Sequence, residues 1–224
     1  MARPQQTAKK RLVVVDDHPI VRRGVVQIIE GEADLTVVGT AEDSKGAMAV
    51  IEECSPDAVV TDITLKGSSG IDMIREIAAR WPKLPVIVFS MHDESFYAER
   101  VLRAGARGYV TKGDPSQKLI DGIHRVMTGE VYVSDKVAAK MLQGMVEGPR
   151  QTGGFPIDSL SDREFEVFGL IGEGLQTRDV AGKLKLSIKT VESHRENIKR
   201  KLGIENATEL LQRAIHWVRF ERGT

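Results

Sequence analysis

The chain has 224 residues, 41% hydrophobic and 29% charged, which is enough apolar material for soluble cores and argues against global disorder. Its 32 Lys and Arg balance 32 Asp and Glu, so net charge selects no partner and only local charge is informative. No apolar run approaches a membrane span and no secretory pattern opens the chain. Cys54 is the single cysteine, which excludes an internal disulfide and fits a cytoplasmic setting with no membrane partner.

In chain order, residues 1–9 are polar and basic and read as a loose arm. Residues 11–15 form an apolar strand that stops at Asp16-Asp17. Ile20, Val21, Val25, Ile28 and Ile29 then recur at helical spacing over 19–30. A strand over 35–39, a helix over 43–53, a turn at 55–57 and a strand over 58–62 follow, the last ending at Asp62. Residues 65–70 read as a Gly/Ser-rich loop and 71–80 as a helix, broken by the prolines of 81–85. Strands over 86–90 and 108–111 alternate with helices over 94–104 and 116–127. Five strands alternating with five helices imply right-handed crossovers and an α/β doubly wound, five-stranded parallel sheet over residues 10–129.

Residues 130–157 read as a linker. A short extended piece (131–134) precedes an amphipathic helix with Val137, Met141, Leu142 and Met145 on one side, and the breaker-rich stretch 147–154 follows. Residues 158–224 are all helical. Ser161-Asp162-Arg163-Glu164 is a capping box opening a helix with Phe165, Val167, Phe168, Leu170 and Ile171, which Gly172 and Gly174 end. Further helices span 177–184, from Ser187 to about Leu202, and 207–220. Two helices joined by the tight turn Lys185-Leu186, the second rich in basic residues, form a helix-turn-helix in a four-helix domain.

The polar groups that end the strands are Asp16-Asp17, Asp62, Ser90 and Thr111-Lys112. In a parallel sheet they converge on one edge, where ligands of open α/β sheets bind. Three neighbouring carboxylates repel one another unless a cation joins them, and oxygen ligands without a His or Cys cluster favour a hard ion such as Mg2+. A lysine and a hydroxyl beside them can hold further oxygens. The set reads as a pocket for a phosphoryl group beside a metal ion, with one carboxylate as nucleophile. One acid alone would be an ordinary strand cap, but the five groups Asp16, Asp17, Asp62, Ser90 and Lys112 at four strand ends are more than that.

The segments VVVDDH, VVTDITL, VIVFSM and GYVTKG resemble the receiver domain of two-component response regulators, a flavodoxin-like fold. The resemblance implies that Asp62 is the phospho-acceptor and that Asp16, Asp17, Asp62 and the backbone carbonyl of Thr64 hold Mg2+. It implies that Ser90 is the switch hydroxyl, that Lys112 pairs with the acyl phosphate, and that Tyr109 is the aromatic whose rotamer follows phosphorylation. A sensor histidine kinase would be the donor, and catalysis would be limited to self-catalysed transfer to, and hydrolysis from, Asp62. Where such receivers usually carry Met-Pro after the acceptor, this chain has Leu65-Lys66-Gly67, which predicts a looser loop and a cation at the pocket's rim. That departure motivates an alternative, a receiver switched by protein contact or constitutively, without phosphate. Aspartate-nucleophile phosphohydrolases also form an acyl phosphate, but they want a second acid two residues after the nucleophile, where this chain has Thr64.

In the third C-terminal helix Val191, Ile198 and Leu202 form the expected buried stripe, with Lys189, Glu192, Ser193, Glu196 and Arg200 opposite. Residues 183–203 hold seven Lys or Arg against two Glu, a local positive excess suited to phosphates. The segment LSDREFEVFGLIGEGLQTRDVAGKLKLSIKTVESHRENIKRKLG resembles the LuxR-type helix-turn-helix of NarL/FixJ regulators. The resemblance implies double-stranded DNA as partner, with Lys189, Thr190, His194, Arg195 and Lys199 on the backbone and Glu192, Ser193 and Glu196 toward base edges. Many relatives carry lysine where this chain has Glu192, which would accept from a cytosine amino group. The last helix, with Leu210, Leu211, Ile215 and Trp217, resembles the one such proteins use to form a homodimer when active, although Trp217 also fits ordinary core. RNA polymerase is a further candidate partner. His18, His92, His124 and His216 show no metal-ligand spacing and read as surface residues or neighbours of the site.

Overall fold

The computed structural model describes residues 8–66, 68–147 and 157–222. The first seven residues of the expected arm, the stretch 148–156 and the side chain of Met145 lie outside the described residues. The first half runs β1 (Lys10–Val15), α1 (Pro19–Glu30), β2 (Leu35–Ala41), α2 (Ser44–Cys54), β3 (Ala58–Thr61), a hairpin of β4 (Thr64–Leu65) and β5 (Ser68–Ser69), α3 (Gly70–Arg80), β6 (Val86–Ser90), α4 (Glu94–Ala104), β7 (Gly108–Thr111) and α5 (Ser116–Met127). Then come α6 (Asp135–Glu147), a short turn at Ile157–Ser159, α7 (Asp162–Gly172), α8 (Thr177–Leu184), α9 (Ile188–Leu202) and α10 (Ala207–Arg222). The chain divides into two compact units, with the boundary in sequence between Val137 and Ala138.

The first unit is built on a five-stranded sheet in the order β2-β1-β3-β6-β7, every pair parallel. β3 and β6 are buried along their whole length, the pattern of inner strands covered by helices on both faces. On one face Leu12, Val14, Val60, Ile87 and Val110 pack against Val25 and Ile29 of α1 and Leu119, Ile120, Ile123 and Val126 of α5. Strand order reverses between β1 and β3, so the crevice beyond their carboxyl ends lies at the switch point.

At the described residues of 65–70 the expected loose loop is replaced by strand pairing. The antiparallel pairs Thr64↔Ser69 and Leu65↔Ser68 close a tight hairpin, and Leu65 is fully buried. Gly70 donates its N–H to the Ile63 carbonyl at 2.7 Å. A Cβ at Gly70 would stand 2.5 Å from the carbonyl oxygens of Asp62 and Ile63, so glycine is required for this return beneath the acceptor strand. Lys66 points to Glu42, Nζ to Oε1 3.8 Å, with both side chains exposed.

Beyond α5, Tyr132 lines up beside β7. It donates its N–H to the Arg107 carbonyl at 2.9 Å and accepts from the Tyr109 N–H at 2.8 Å. A Cβ at Gly122 would meet the Tyr132 ring at 2.8 Å, so the bare glycine makes room for that ring. The Ser134 N–H then donates to Glu94 at the start of α4, at 2.8 Å.

In the helical unit the capping box is present: Ser161 accepts from the Glu164 N–H while Glu164 accepts from the Ser161 N–H. Gly172 lets α10 approach α7, since a Cβ there would stand 2.4 Å from the Ala214 carbonyl oxygen. Trp217 is half-buried and packs on the core rings of Phe165 and Phe168, with ring centroids 5.2 and 5.7 Å away. Among the described residues no helix is long and apolar enough to cross a membrane.

Candidate phospho-acceptor site and DNA-binding surface

Register assembles the acidic pocket. Val15 pairs with Thr61 and the Asp62 N–H donates to the Val15 carbonyl at 3.0 Å, so Asp16 and Asp62 emerge side by side. Ser90 pairs with Thr111, and the Lys112 N–H donates to the Ser90 carbonyl at 2.7 Å. Asp16, Asp17, Asp62 and Ser90 are all buried.

Asp62 is fully engaged. Its Oδ1 accepts from Ser90 Oγ at 2.7 Å and from the Ile63 N–H at 2.6 Å. Lys112 Nζ donates to Asp62 Oδ2 at 2.5 Å and to Asp16 Oδ2 at 2.6 Å. Burial opposes the ammonium charge, but Asp62 and Asp16 outweigh it and raise the Lys112 pKa above its ordinary value. Lys112 is therefore a permanent cation between two carboxylates.

Asp17 is linked to Asp16 through His18. His18 Nδ1 is 2.6 Å from Asp17 Oδ1 and 3.7 Å from Asp16 Oδ1. One ligand atom from each of Asp16, Asp17 and His18 falls within 4.8 Å of the others. Asp62 joins this cluster through Lys112, and Thr64 sits beside it, its N–H 3.4 Å from Asp62 Oδ1.

Tyr109 is buried, and its hydroxyl donates to the His92 carbonyl at 3.0 Å rather than to the acids. Burial, then Tyr97 and Asp62, push its phenol well above the ordinary range, so it stays protonated. His92, expected only as a surface residue or a neighbour of the site, is the latter, and its specific bonds are what residue spacing left open. Its Nε2 is 2.9 Å from Thr64 Oγ1, its N–H approaches Ser90 Oγ at 3.4 Å, and its ring lies 4.7 Å from that of Tyr97. It thus joins the acceptor loop to the hydroxyl and the aromatic, although a lone histidine after a strand carries no sequence signal.

On α9 the faces fall as expected. Val191, Ile198 and Leu202 are buried, and Lys189, Glu192, Ser193, Glu196 and Arg200 are exposed. Ser187 caps the helix by accepting from the Thr190 N–H at 3.0 Å, and its Oγ is 2.7 Å from Thr190 Oγ1. Arg195 Nη1 donates to Thr177 Oγ1 at 3.2 Å, which ties α9 to the start of α8. His194 is half-buried; burial and then Arg163 lower its pKa, so its ring is neutral near pH 7. Behind the surface, Arg163 donates to Glu166 at 2.5 Å and to the Leu184 carbonyl at 2.8 Å, while Lys201 donates to Glu164 at 2.6 Å. In α10 Leu210 is fully buried and Leu211 is 40% exposed.

A buried acidic pocket closed by a lysine at the sheet edge of one unit and a helix-turn-helix in the other define a receiver-type regulator. Residues 12–124 match the response regulator receiver domain, and residues 158–214 match the bacterial regulatory proteins of the luxR family. The chain is 34% identical over 209 residues to the oxygen regulatory protein NreC of Staphylococcus aureus (strain MRSA252), covering 92% of this chain and 96% of that one. It also resembles a LuxR-family two-component response regulator from Aurantimonas sp. SI85-9A1, with TM-score 0.58, 35% identity and coverage of 62% of this chain and 99% of that one. RcsB of Salmonella enterica serovar Typhimurium, solved on promoter rprA with the phosphomimetic BeF3-, matches with TM-score 0.59 and 28% identity over 91% of this chain and 97% of that one. The chain belongs to the LuxR (NarL/FixJ) family of two-component response regulators and is a DNA-binding regulator of transcription.

Proposed function

We propose that Asp62 accepts a phosphoryl group from a sensor histidine kinase in the cytoplasm, and that this switches the helical unit to bind operator DNA as a homodimer, with RNA polymerase as a later partner. The observation that carries the reading is the buried acceptor flanked by Ser90 at 2.7 Å and Lys112 at 2.5 Å. An Asp62 carboxylate oxygen attacks phosphorus, the P–N bond to the donor histidine breaks, and the imidazole leaves with the bonding pair. Lys112 then neutralises the acyl phosphate, while Ser90 exchanges its bond to Asp62 for one to a phosphoryl oxygen. The chemistry needs charge neutralisation and alignment rather than a strong base, so it is confined to self-catalysed transfer and hydrolysis.

The acidic oxygens suit a hard cation. Asp16, Asp17, Asp62 and the Thr64 carbonyl would hold Mg2+, which would supply positive charge beside the phosphoryl oxygens. Tyr109, bonded to the loop after Ser90, would follow the hydroxyl's displacement. On DNA, Lys189, Thr190, His194, Arg195 and Lys199 would contact the backbone, with Glu192, Ser193 and Glu196 facing the bases.

Intact mass of the full chain after incubation with acetyl phosphate and Mg2+ tests the acceptor. A phosphoryl adduct is expected on the wild type and not on Asp62→Asn. An adduct of equal yield on both, or on neither, contradicts the assignment.

A further inference from the structure

The exposed face of α9 carries two acids one turn apart, where a nucleic-acid surface is expected to be cationic. Glu192 and Glu196 are 51% and 67% exposed along their side chains. Each is paired three residues on: Glu192 Oε2 lies 3.8 Å from Arg195 Nε, and Glu196 Oε1 lies 2.8 Å from Lys199 Nζ. The cations are the more covered partners, 17% and 18% exposed, so the carboxylates form the outer layer. Ser193 between them donates its hydroxyl to the Lys189 carbonyl at 3.0 Å and is satisfied within the helix.

Such acids weaken general attraction to DNA, because phosphates repel them and a neutralised cation releases fewer counterions. A carboxylate gains in the major groove only from a donor. Guanine offers acceptors alone on that edge, and adenine places its N7 acceptor beside its amino group, against the second carboxylate oxygen. Cytosine N4 is flanked by C5–H and fits a carboxylate best. Four residues of helix advance about 6 Å, close to two base steps of about 3.4 Å.

We propose that Glu192 and Glu196 are specificity-determining residues of the DNA-binding surface, each accepting from a cytosine amino group, at positions about two base steps apart in the half-site. The inference rests on the reading of α9 as the helix that faces the major groove. When each carboxylate turns to a base it releases Arg195 or Lys199 to a phosphate. Base reading and backbone binding are thereby coupled, and at a wrong site the carboxylates keep their cations and both interactions are lost.

Selection of the full chain, in beryllofluoride and Mg2+, against a randomised duplex pool tests this, alongside Glu192→Gln and Glu196→Gln. Wild type is expected to retain cytosine at two positions, with about tenfold loss when either becomes thymine. Glutamine both accepts from N6 and donates to N7, so each variant is expected to move one of the two positions to adenine. Both variants are also expected to bind random duplex several-fold more tightly, with a salt slope steeper by up to about one. Wild type without cytosine preference at either position, or variants that select the wild-type bases, overturns the inference. Both side chains are exposed, so an unchanged melting temperature serves as the folding control. Lys189→Ala separates the two readings. If it weakens all sequences alike while the acid variants keep wild-type selection, α9 faces DNA and the inference alone fails. If none of the three variants alters DNA binding, the reading of α9 fails as well.

Discussion

Lys112→Met keeps most of the aliphatic stem and removes the ammonium shared by Asp62 and Asp16. All three side chains are at most 6% exposed, so the stranded carboxylates cannot regain their hydration. Removing one partner of a buried ion pair costs about 3–5 kcal/mol, and two carboxylates left facing each other place this case toward the upper end. For a unit of this size the equivalent is roughly 10–20 °C in Tm. Calorimetry of the full chain should show the receiver transition falling while the helical unit's stays in place. Mg2+ at about a hundred times its Kd should return about 2.7 kcal/mol by replacing the lost charge. The pH response carries the same signature. The folded-state Lys112 pKa is raised, so its contribution is complete below the ordinary lysine value of about 10.4 and is lost as pH climbs through the higher folded value. Wild type should therefore lose receiver stability in strong alkali that the variant has already lost. A shift worth less than about 1 kcal/mol, insensitive to Mg2+, would refute the view that Lys112 neutralises this pocket.

Three further outcomes are expected. Gly70→Ala should lower the receiver's denaturant midpoint by the equivalent of about 2–3 kcal/mol and slow phosphorylation, because the new Cβ meets the Asp62 and Ile63 carbonyls at 2.5 Å; an unchanged midpoint would show that the hairpin yields freely. Glu164 is held below the ordinary carboxylate range, burial opposing and Lys201 with the Ser161 N–H prevailing. Its contribution is present above the ordinary value of about 4.3 and lost as pH falls through the lower folded value, so acid melts of the helical unit should flatten in Glu164→Gln, which should be weaker by about 1–3 kcal/mol at pH 7. Lys189→Ala should weaken all duplexes similarly and make the salt slope shallower by about one; affinity unchanged across salt would remove Lys189 from the contact set.

The sheet and its acidic edge were legible because both depend on short-range pattern. β3 and β6 are apolar up to their last residue, and parallel alternation then brings Asp16, Asp17, Asp62, Ser90 and Lys112 to one edge without further information. The α9 faces were legible for the same reason, since Val191, Ile198 and Leu202 recur at helical spacing. What escaped depends on contacts far apart in sequence. His92 could be read no further than as a surface residue or neighbour of the site, because its bonds are with Thr64 and Tyr109, 28 and 17 residues away. The β4–β5 hairpin has two residues in each strand, too short to show alternation, so Gly and Ser there read as loop. Tyr132 read as linker because its seat beside β7 depends on the bare Gly122 of another element. The ion pairs of Glu192 and Glu196 with Arg195 and Lys199 needed side-chain positions that residue spacing leaves open.

In the proposed switch, chemistry at Asp62 controls DNA binding by the helical unit. Operator affinity of the full chain, measured in Mg2+ with and without beryllofluoride for wild type and Asp62→Asn, tests it most directly. Binding is expected to tighten with beryllofluoride in wild type and not to respond in Asp62→Asn. Equal wild-type affinity in both conditions, or the same gain in Asp62→Asn, would contradict it.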